Sequence, residues 1–275
     1  MKRIMITGAN SYIGNAVKDY LEKYDKLYEV CIRDTINWRP NCSDFLGIDV
    51  VFNVAGIAHI NENKKNRNLY YKINHDLVVD IAKAAKLGGV KQFILLSTMS
   101  VYGLTTGYID KNTIEQAQNA YGLSKLQADN EIKKLASDDF KFACLRPPMV
   151  YGKGCKGNYQ RLRKFVLKSL VFPQYNNQRS MIYIGNLCSF VKNVIDNEKS
   201  GLFFPQNEDY INTYEMVKLI AETHNKKMIF TKIFNPFIMI SPFKTVKKAF
   251  GDLIYEPTDL VNTYSFEESI KLSEK

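Results

Sequence analysis

The 275-residue sequence predicts an α/β protein, a doubly wound parallel sheet followed by a smaller C-terminal lobe. Three observations carry that expectation. A short apolar strand at Lys2–Thr7 runs straight into a glycine-rich turn and then a helix. Apolar residues afterwards alternate between strand and helix spacing as far as Leu145. The segment Asp49–Val54, Asp-Val-Val-Phe-Asn-Val, is almost continuously apolar, as a strand buried on both faces must be. Strands separated by helical crossovers build parallel sheets.

Taken in order, Gly8–Gly14 forms the turn, and Asn15–Tyr24 has helical periodicity with Ala16, Val17, Tyr20 and Leu21 on one face. Tyr28–Ile32 reads as the second strand and Asp49–Val54 as the third. A helix at Leu77–Lys86, a strand at Gln92–Leu96, a helix at Ser124–Leu135 and a strand at Phe140–Leu145 follow. Beyond Tyr151 the pattern loosens, with helices expected at Arg161–Ser169, Leu187–Asn197 and Thr213–Glu222 between scattered prolines. The expected division is residues 1–150 for the sheet domain and 151–275 for the lobe, with segments of the lobe free to cross back.

Composition narrows the function classes. At 45% hydrophobic and 24% charged, the chain is ordinary for a globular protein. No apolar run approaches the ~20 residues of a membrane span, and the N-terminus lacks a signal-peptide core, so a cytoplasmic protein without a membrane span is expected. Five scattered cysteines and three histidines offer neither a disulfide framework nor a metal-ligand cluster, so no metal is expected. The net charge of +10 is spread along helices instead of gathered in a block, which points away from nucleic acid and toward a basic surface that favours anionic substrates.

Two features carry chemistry. In Thr7-Gly8-Ala9-Asn10-Ser11-Tyr12-Ile13-Gly14 the backbone must turn sharply and approach a pyrophosphate, while the helix N-terminus supplies free amides. Gly8, Asn10, Ser11, Tyr12, Ile13 and Gly14 are therefore candidate cofactor contacts in a Rossmann-type domain. Ser11 stands where glycine is usual, which either crowds the pyrophosphate or adds a hydroxyl donor. At the end of the second strand, Arg33 suits the extra phosphate of NADP and Asp34 the ribose hydroxyls of NAD; the cofactor is NAD or NADP, with a slight lean to NADP. Secondly, Tyr121 and Lys125 lie four apart on one helical face. A tyrosine at its reference pKa of about 10 is a poor base, and a neighbouring ammonium brings phenolate toward working pH. The hydroxyl-rich strand end Ser97–Gly103 supplies the hydroxyl that would polarise a substrate oxygen.

Together these residues resemble the extended short-chain dehydrogenase/reductase family, in its nucleotide-sugar epimerase/dehydratase branch, over nearly the whole chain. Thr7–Gly14 is similar to its TGxxGxxG turn, Ser97–Gly103 to SSxxVYG, and Tyr121 and Lys125 to YxxxK. The resemblance implies Tyr121, Lys125 and Thr98 as catalytic residues, with Lys125 also on the cofactor ribose. It adds Ala55 and Asn74 to the cofactor contacts, and Thr98, Ser100, Asn158 and Arg179 to the substrate contacts. Arg179 would grip a substrate phosphate through its bidentate donors. Val54–His59 and Leu145–Gly152 resemble a subgroup of reductases and epimerases in polysaccharide precursor synthesis, and Asp34–Gly47 is a short connection for the family.

The resemblance implies proton and hydride exchange at C4 of a sugar, the substrate a nucleotide sugar, expected to be UDP-linked. Dehydratases of the branch carry carboxylates just after the Thr98 position, where this chain has Met99 and Ser100, so dehydration is disfavoured. A 4-epimerase and a 4-keto-sugar reductase both remain. The alternatives from other classes are a non-catalytic NADP-binding sensor or scaffold and a reductase of small hydrophobic ketones. A homodimer is left open.

Overall fold

The computed structural model describes residues 1–58, 60, 62, 63, 65–257 and 262–275. His59, at the end of the Val54–His59 stretch, lies outside the described residues. In chain order the first elements are β1 (Lys2–Thr7), α1 (Tyr12–Leu21), β2 (Tyr28–Arg33), β3 (Val50–Asn53), α2 (Arg67–Tyr71) and α3 (Leu77–Leu87). Next come β4 (Gln92–Leu96), β5 (Gly107–Ile109), α4 (Ala120–Lys133), β6 (Lys141–Leu145), β7 (Met149–Tyr151) and α5 (Asn158–Lys168). The remainder is β8 (Val171–Pro173), β9 (Met181–Tyr183), α6 (Ile184–Asp196), β10 (Gly201–Phe203), α7 (Thr213–Thr223), β11 (Ile229–Thr231), α8 (Asn235–Ile240), α9 (Lys244–Phe250), β12 (Leu253–Tyr255) and α10 (Phe266–Glu274).

The chain folds into two compact units. The first comprises Met1–Gly103, Ile114–Pro147 and Cys188–Pro205; the second comprises Leu104–Thr113, Pro148–Leu187 and Gln206–Lys275. In the first unit six parallel strands form one sheet in the order β10-β6-β4-β3-β1-β2. The chain steps from β1 outward to β2 and then back past β1 to β3, which is the switch point where such sheets open a crevice at their carboxyl ends. The inner strands are sealed, with every residue of β3 and β4 buried. Val51, Phe93 and Leu95 pack on α3 and α4 through Ile81, Ala82, Ala85, Ala128 and Ile132. The alanines matter because small side chains let the helices lie close on the sheet.

The expected strands and helices of this unit appear where the periodicity placed them, with α4 starting at Ala120 instead of Ser124 because Asn119 caps it through Gly122 N at 2.8 Å. The helix α2 and the π-helical turn that joins it to α3 at Lys72–Asp76 were not expected from the apolar pattern. A π turn carries an extra residue, which spoils the 3.6-residue spacing used to recognise helices. The second unit is built of small pieces: β8 with β11, β5 with β12, and β7 with β9, each a parallel pair, around α5, α7 and α10.

Just past β4, a short 3₁₀ turn at Met99–Tyr102 is stopped by Gly103, which adopts the left-handed conformation at φ 67°. A Cβ there would lie 2.0 Å from the Gln116 carbonyl oxygen. Both the backbone sign and the space exclude a side chain. Gly103→Ala is expected to cost at least about 3 kcal/mol in urea unfolding; a loss under 1 kcal/mol would show that the loop at Gln116 yields freely.

Candidate active site

The site in the first unit gathers at the carboxyl ends of β1, β3 and β4. After Thr7 the chain turns at Gly8, with φ 105°, where a Cβ would meet Ala55 Cα and N at 3.2 Å. The turn therefore lies flat against the end of β3. Thr7 Oγ1 donates to Asn53 Oδ1 at 2.7 Å, locking the two strand ends together. Ser11 has φ −77°, a value open to any residue, and its Oγ accepts from Gly14 N at 3.2 Å. The serine that replaces glycine is thus the N-cap of α1, satisfying one of the helix's unpaired amides. Tyr12, Ile13 and Gly14 form the first turn of α1, beyond Asn10. Gly14 is needed because a Cβ would come within 2.8 Å of Val54 Cγ2. These backbone features fit a dinucleotide: a glycine turn seated on the neighbouring strand leads into a helix N-terminus, and Ala55–Gly56 flank it.

Arg33 ends β2 with its guanidinium 4.9 Å from the centre of the Trp38 ring and 3.6 Å from Asp44 Oδ1. Asp34 Oδ1 accepts from Ile36 N at 3.0 Å, closing a local turn. Arg33 and Asp34 thus both stand at the end of β2, Arg33 beside Asp44 across a solvent-exposed contact.

Asn74, on the π turn, is fully buried. Its Oδ1 accepts from Ile57 N at 2.7 Å, and its Nδ2 donates to Ile57 O at 3.1 Å and Ser124 Oγ at 3.3 Å. It therefore clamps the strand end after β3 to α4, and its hydrogen bonds go to protein. A Cβ on Gly56 would be 3.0 Å from Asn74 Oδ1 and 3.1 Å from Lys125 Nζ, so this segment runs directly over the lysine.

Tyr121, Lys125 and Asp129 follow one another on one face of α4 at i, i+4 and i+8. Burial pushes the Tyr121 phenol up, while the neighbouring Thr98 hydroxyl pulls it down. Thr98 caps the turn after β4, accepting from Ser100 N at 3.1 Å, and Ser100 stands exposed beside it. The Tyr70 ring lies 6.4 Å from that of Tyr121, edge to face. The carboxylate of Glu62 accepts from Ala120 N at 2.8 Å at the start of α4.

Lys125 is buried, with Nζ donating to Leu96 O at 3.0 Å. Burial lowers its pKa to about 8, against the attraction of Asp129. Asp129 accepts from Ser97 Oγ at 2.8 Å and from Arg146 Nε at 3.1 Å. Burial pushes the Asp129 carboxyl up, and Arg146 and Ser97 pull it back. Arg146 also donates to Tyr102 OH at 2.7 Å and Glu115 Oε1 at 2.8 Å. Burial works against its charge, yet Asp129 outweighs burial and the guanidinium is held charged more firmly than usual. Ser97, Asp129 and Arg146 were missed in the sequence, although the i+4 continuation from Lys125 to Asp129 was there to be read. Tyr70 and Glu62 carried no such signal.

Asn158 and Arg179 lie in the second unit. Asn158 is exposed and opens α5 after Gly157, at φ 97°. Arg179 is half-buried; its Nη1 donates to Gly251 O at 2.7 Å, and its backbone is paired with Ile211. Burial lowers its pKa against the pull of Asp252. Among the described residues no group of His, Cys, Asp or Glu is placed to hold a metal ion.

A doubly wound parallel sheet with this turn and this tyrosine–lysine helix defines an enzyme of the extended short-chain dehydrogenase/reductase class, dependent on NAD or NADP. Residues 4–204 match the NAD dependent epimerase/dehydratase family, and the chain belongs to it. A UDP-glucose 4-epimerase of Vibrio cholerae is 30% identical over 80% of this chain and 75% of its own. An N-acetyl-α-D-glucosaminyl-diphospho-ditrans,octacis-undecaprenol 4-epimerase of Escherichia coli O157:H7 is 25% identical over 82% of this chain and 73% of its own. The fold is shared with UDP-glucuronic acid 4-epimerase from Bacillus cereus in complex with NAD, at a TM-score of 0.79 and 18% identity over 99% of this chain and 97% of that one. A function of the nucleotide-sugar 4-epimerase/dehydratase kind follows.

The lowered pKa of Lys125 has a consequence for stability. Its charged form is disfavoured in the folded state, so folding is opposed most below about pH 8, and the opposition is relieved as pH rises toward the unfolded value. Lys125→Met is accordingly expected to gain about 1–2 kcal/mol at neutral pH after the lost hydrogen bond is deducted. That gain should fade in alkaline buffer, and turnover should be abolished. A variant less stable than the parent in neutral urea titrations would contradict the burial argument.

Proposed function

We propose that the chain is a 4-epimerase of a UDP-linked sugar in which Tyr121 is the general acid and base. The observation that carries this reading is the Tyr121 phenol on α4 beside the Thr98 hydroxyl just past β4, with Lys125 one turn along the same helix face. Bound NAD or NADP would take hydride from C4 and return it. Tyr121 would remove the proton from the C4 hydroxyl and give it back after the sugar turns over. Thr98 would hold the same oxygen, and the charge on Lys125 would favour the phenolate. Lys125 and the turn Gly8–Gly14 would hold the cofactor, while Ser100, Asn158 and Arg179 would meet the substrate. Arg179 suits a diphosphate, although one of its nitrogens already serves Gly251 O.

Two chemical points support epimerisation over dehydration. Met99 and Ser100 cannot serve as the acid and base that removing water requires. The buried carboxylate nearest the tyrosine's helix face, Asp129, is held by Arg146. The relatives from Vibrio cholerae and Escherichia coli O157:H7, both 4-epimerases, support the same choice. The experiment is a proton NMR time course with UDP-galactose and UDP-N-acetylgalactosamine in the presence of NAD. The C4 epimer should appear, and Tyr121→Phe should slow its appearance by about 100- to 10,000-fold. If folded protein leaves both sugars unchanged but oxidises NADPH with a 4-keto sugar, the reading moves to a reductase. Equal rates for the parent and Tyr121→Phe would remove the tyrosine from the chemistry.

A further inference from the structure

The second unit carries an exposed apolar surface on α8 and the segment that follows it. In α8 no residue is buried, and Pro236 at its first turn sets it off from β11. Its side chains are apolar nonetheless: Phe237 is 70%, Met239 73% and Ile240 80% exposed, followed by Phe243 at 69%. The surface extends across the β8–β11 pair, where Leu170 and Ile229 are also exposed and Ile229 N bonds Leu170 O at 2.8 Å. These pieces are tied together. Asn235 Nδ2 donates to Gln174 O at 3.0 Å, and the Phe250 ring of α9 lies 5.7 Å from that of Phe172 in β8.

Charge marks these segments and the stretch through α5, whose Phe165 ring lies 5.9 Å from that of Phe172. Residues 226–251 include six lysines and no Asp or Glu, and residues 151–181 include seven Lys or Arg and no Asp or Glu. Together these exceed the net charge of +10 of the whole chain. Lys232, Lys247 and Lys248 are exposed around the apolar side chains. Exposed Phe, Ile and Met ringed by cations match the interface of an anionic bilayer, where apolar tips enter the acyl boundary and lysines stay at the headgroups. A second copy of this chain is a poorer occupant, because a twofold contact would set one basic ring against its twin.

We propose that the α8–α9 face, with Phe237, Ile240 and Phe243 at its tip, docks this enzyme peripherally on an anionic phospholipid surface. The attachment needs no spanning segment, and among the described residues no helix is long and apolar enough to cross a membrane.

Sedimentation of the full chain with phosphatidylcholine vesicles, with and without phosphatidylglycerol, tests this. The protein should pellet with the anionic vesicles, stay in solution with the neutral ones, and be largely released near 1 M salt, where the screening length is about 3 Å. The triple variant Phe237→Ser, Ile240→Ser, Phe243→Ser should bind at least about 30-fold more weakly. Lys247→Glu with Lys248→Glu should lose about 30-fold or more. Both variants change exposed side chains, so turnover of soluble substrate should match the parent and confirm folding. Parent protein that ignores both vesicle types overturns the proposal, as does binding that survives both variants. So does a dimer in light scattering that the serine variant dissolves, since the face would then cover itself.

Discussion

Beneath the middle of α4, Asp129 meets the guanidinium of Arg146 at 3.1 Å, both side chains almost fully buried. Removing either partner of such a pair typically costs about 3–5 kcal/mol, because the other charge is left without solvent or partner. The arrangement reaches further than its own energy. Asp129 is tied through Ser97 to the end of β4, and Arg146, just past β6, reaches Tyr102 and Glu115. One ion pair thus fastens the helix carrying Tyr121 and Lys125 to the strand end carrying Thr98. The Asp129 carboxylate also places a negative charge one turn from Lys125, and so opposes the burial that would strip the lysine of its proton. Without it, burial would act on the Lys125 ammonium unopposed by that charge.

The glycine turn of the first unit depends on backbone more than on charge. Gly8 and Gly14 are set by close approach to Ala55 and Val54, and Ser11 is admitted because its φ is negative and its hydroxyl caps α1. Asn74 shows the same economy at one remove, since it holds the Ile57 backbone between β3 and α4.

Much of this was legible in the sequence. The parallel sheet could be read because fully buried strands such as β3 and β4 leave continuous apolar runs, and the tyrosine–lysine spacing because a helix repeats every 3.6 residues. The π turn around Asn74 was hidden by its irregular spacing. The Asp129–Arg146 pair was hidden for a different reason: its partners lie 17 residues apart, on a helix and just past a strand, and only packing joins them. Met99 and Ser100 mattered by what they lack, which a sequence displays plainly. The apolar face of α8 was legible as a short apolar run, but its exposure was not, because such a run reads equally well as a buried segment.

The account turns on Asp129 governing the charge of Lys125, and the most direct measurement is an NMR titration of the Lys125 side-chain amine in the parent and in Asp129→Asn, each shown to be folded. The parent value should lie at about 8, well under an ordinary lysine, and the variant's should fall further still, once the attraction is gone and burial remains. A lysine titrating near its ordinary value in the parent, or one that does not move when Asp129 loses its charge, would contradict the account.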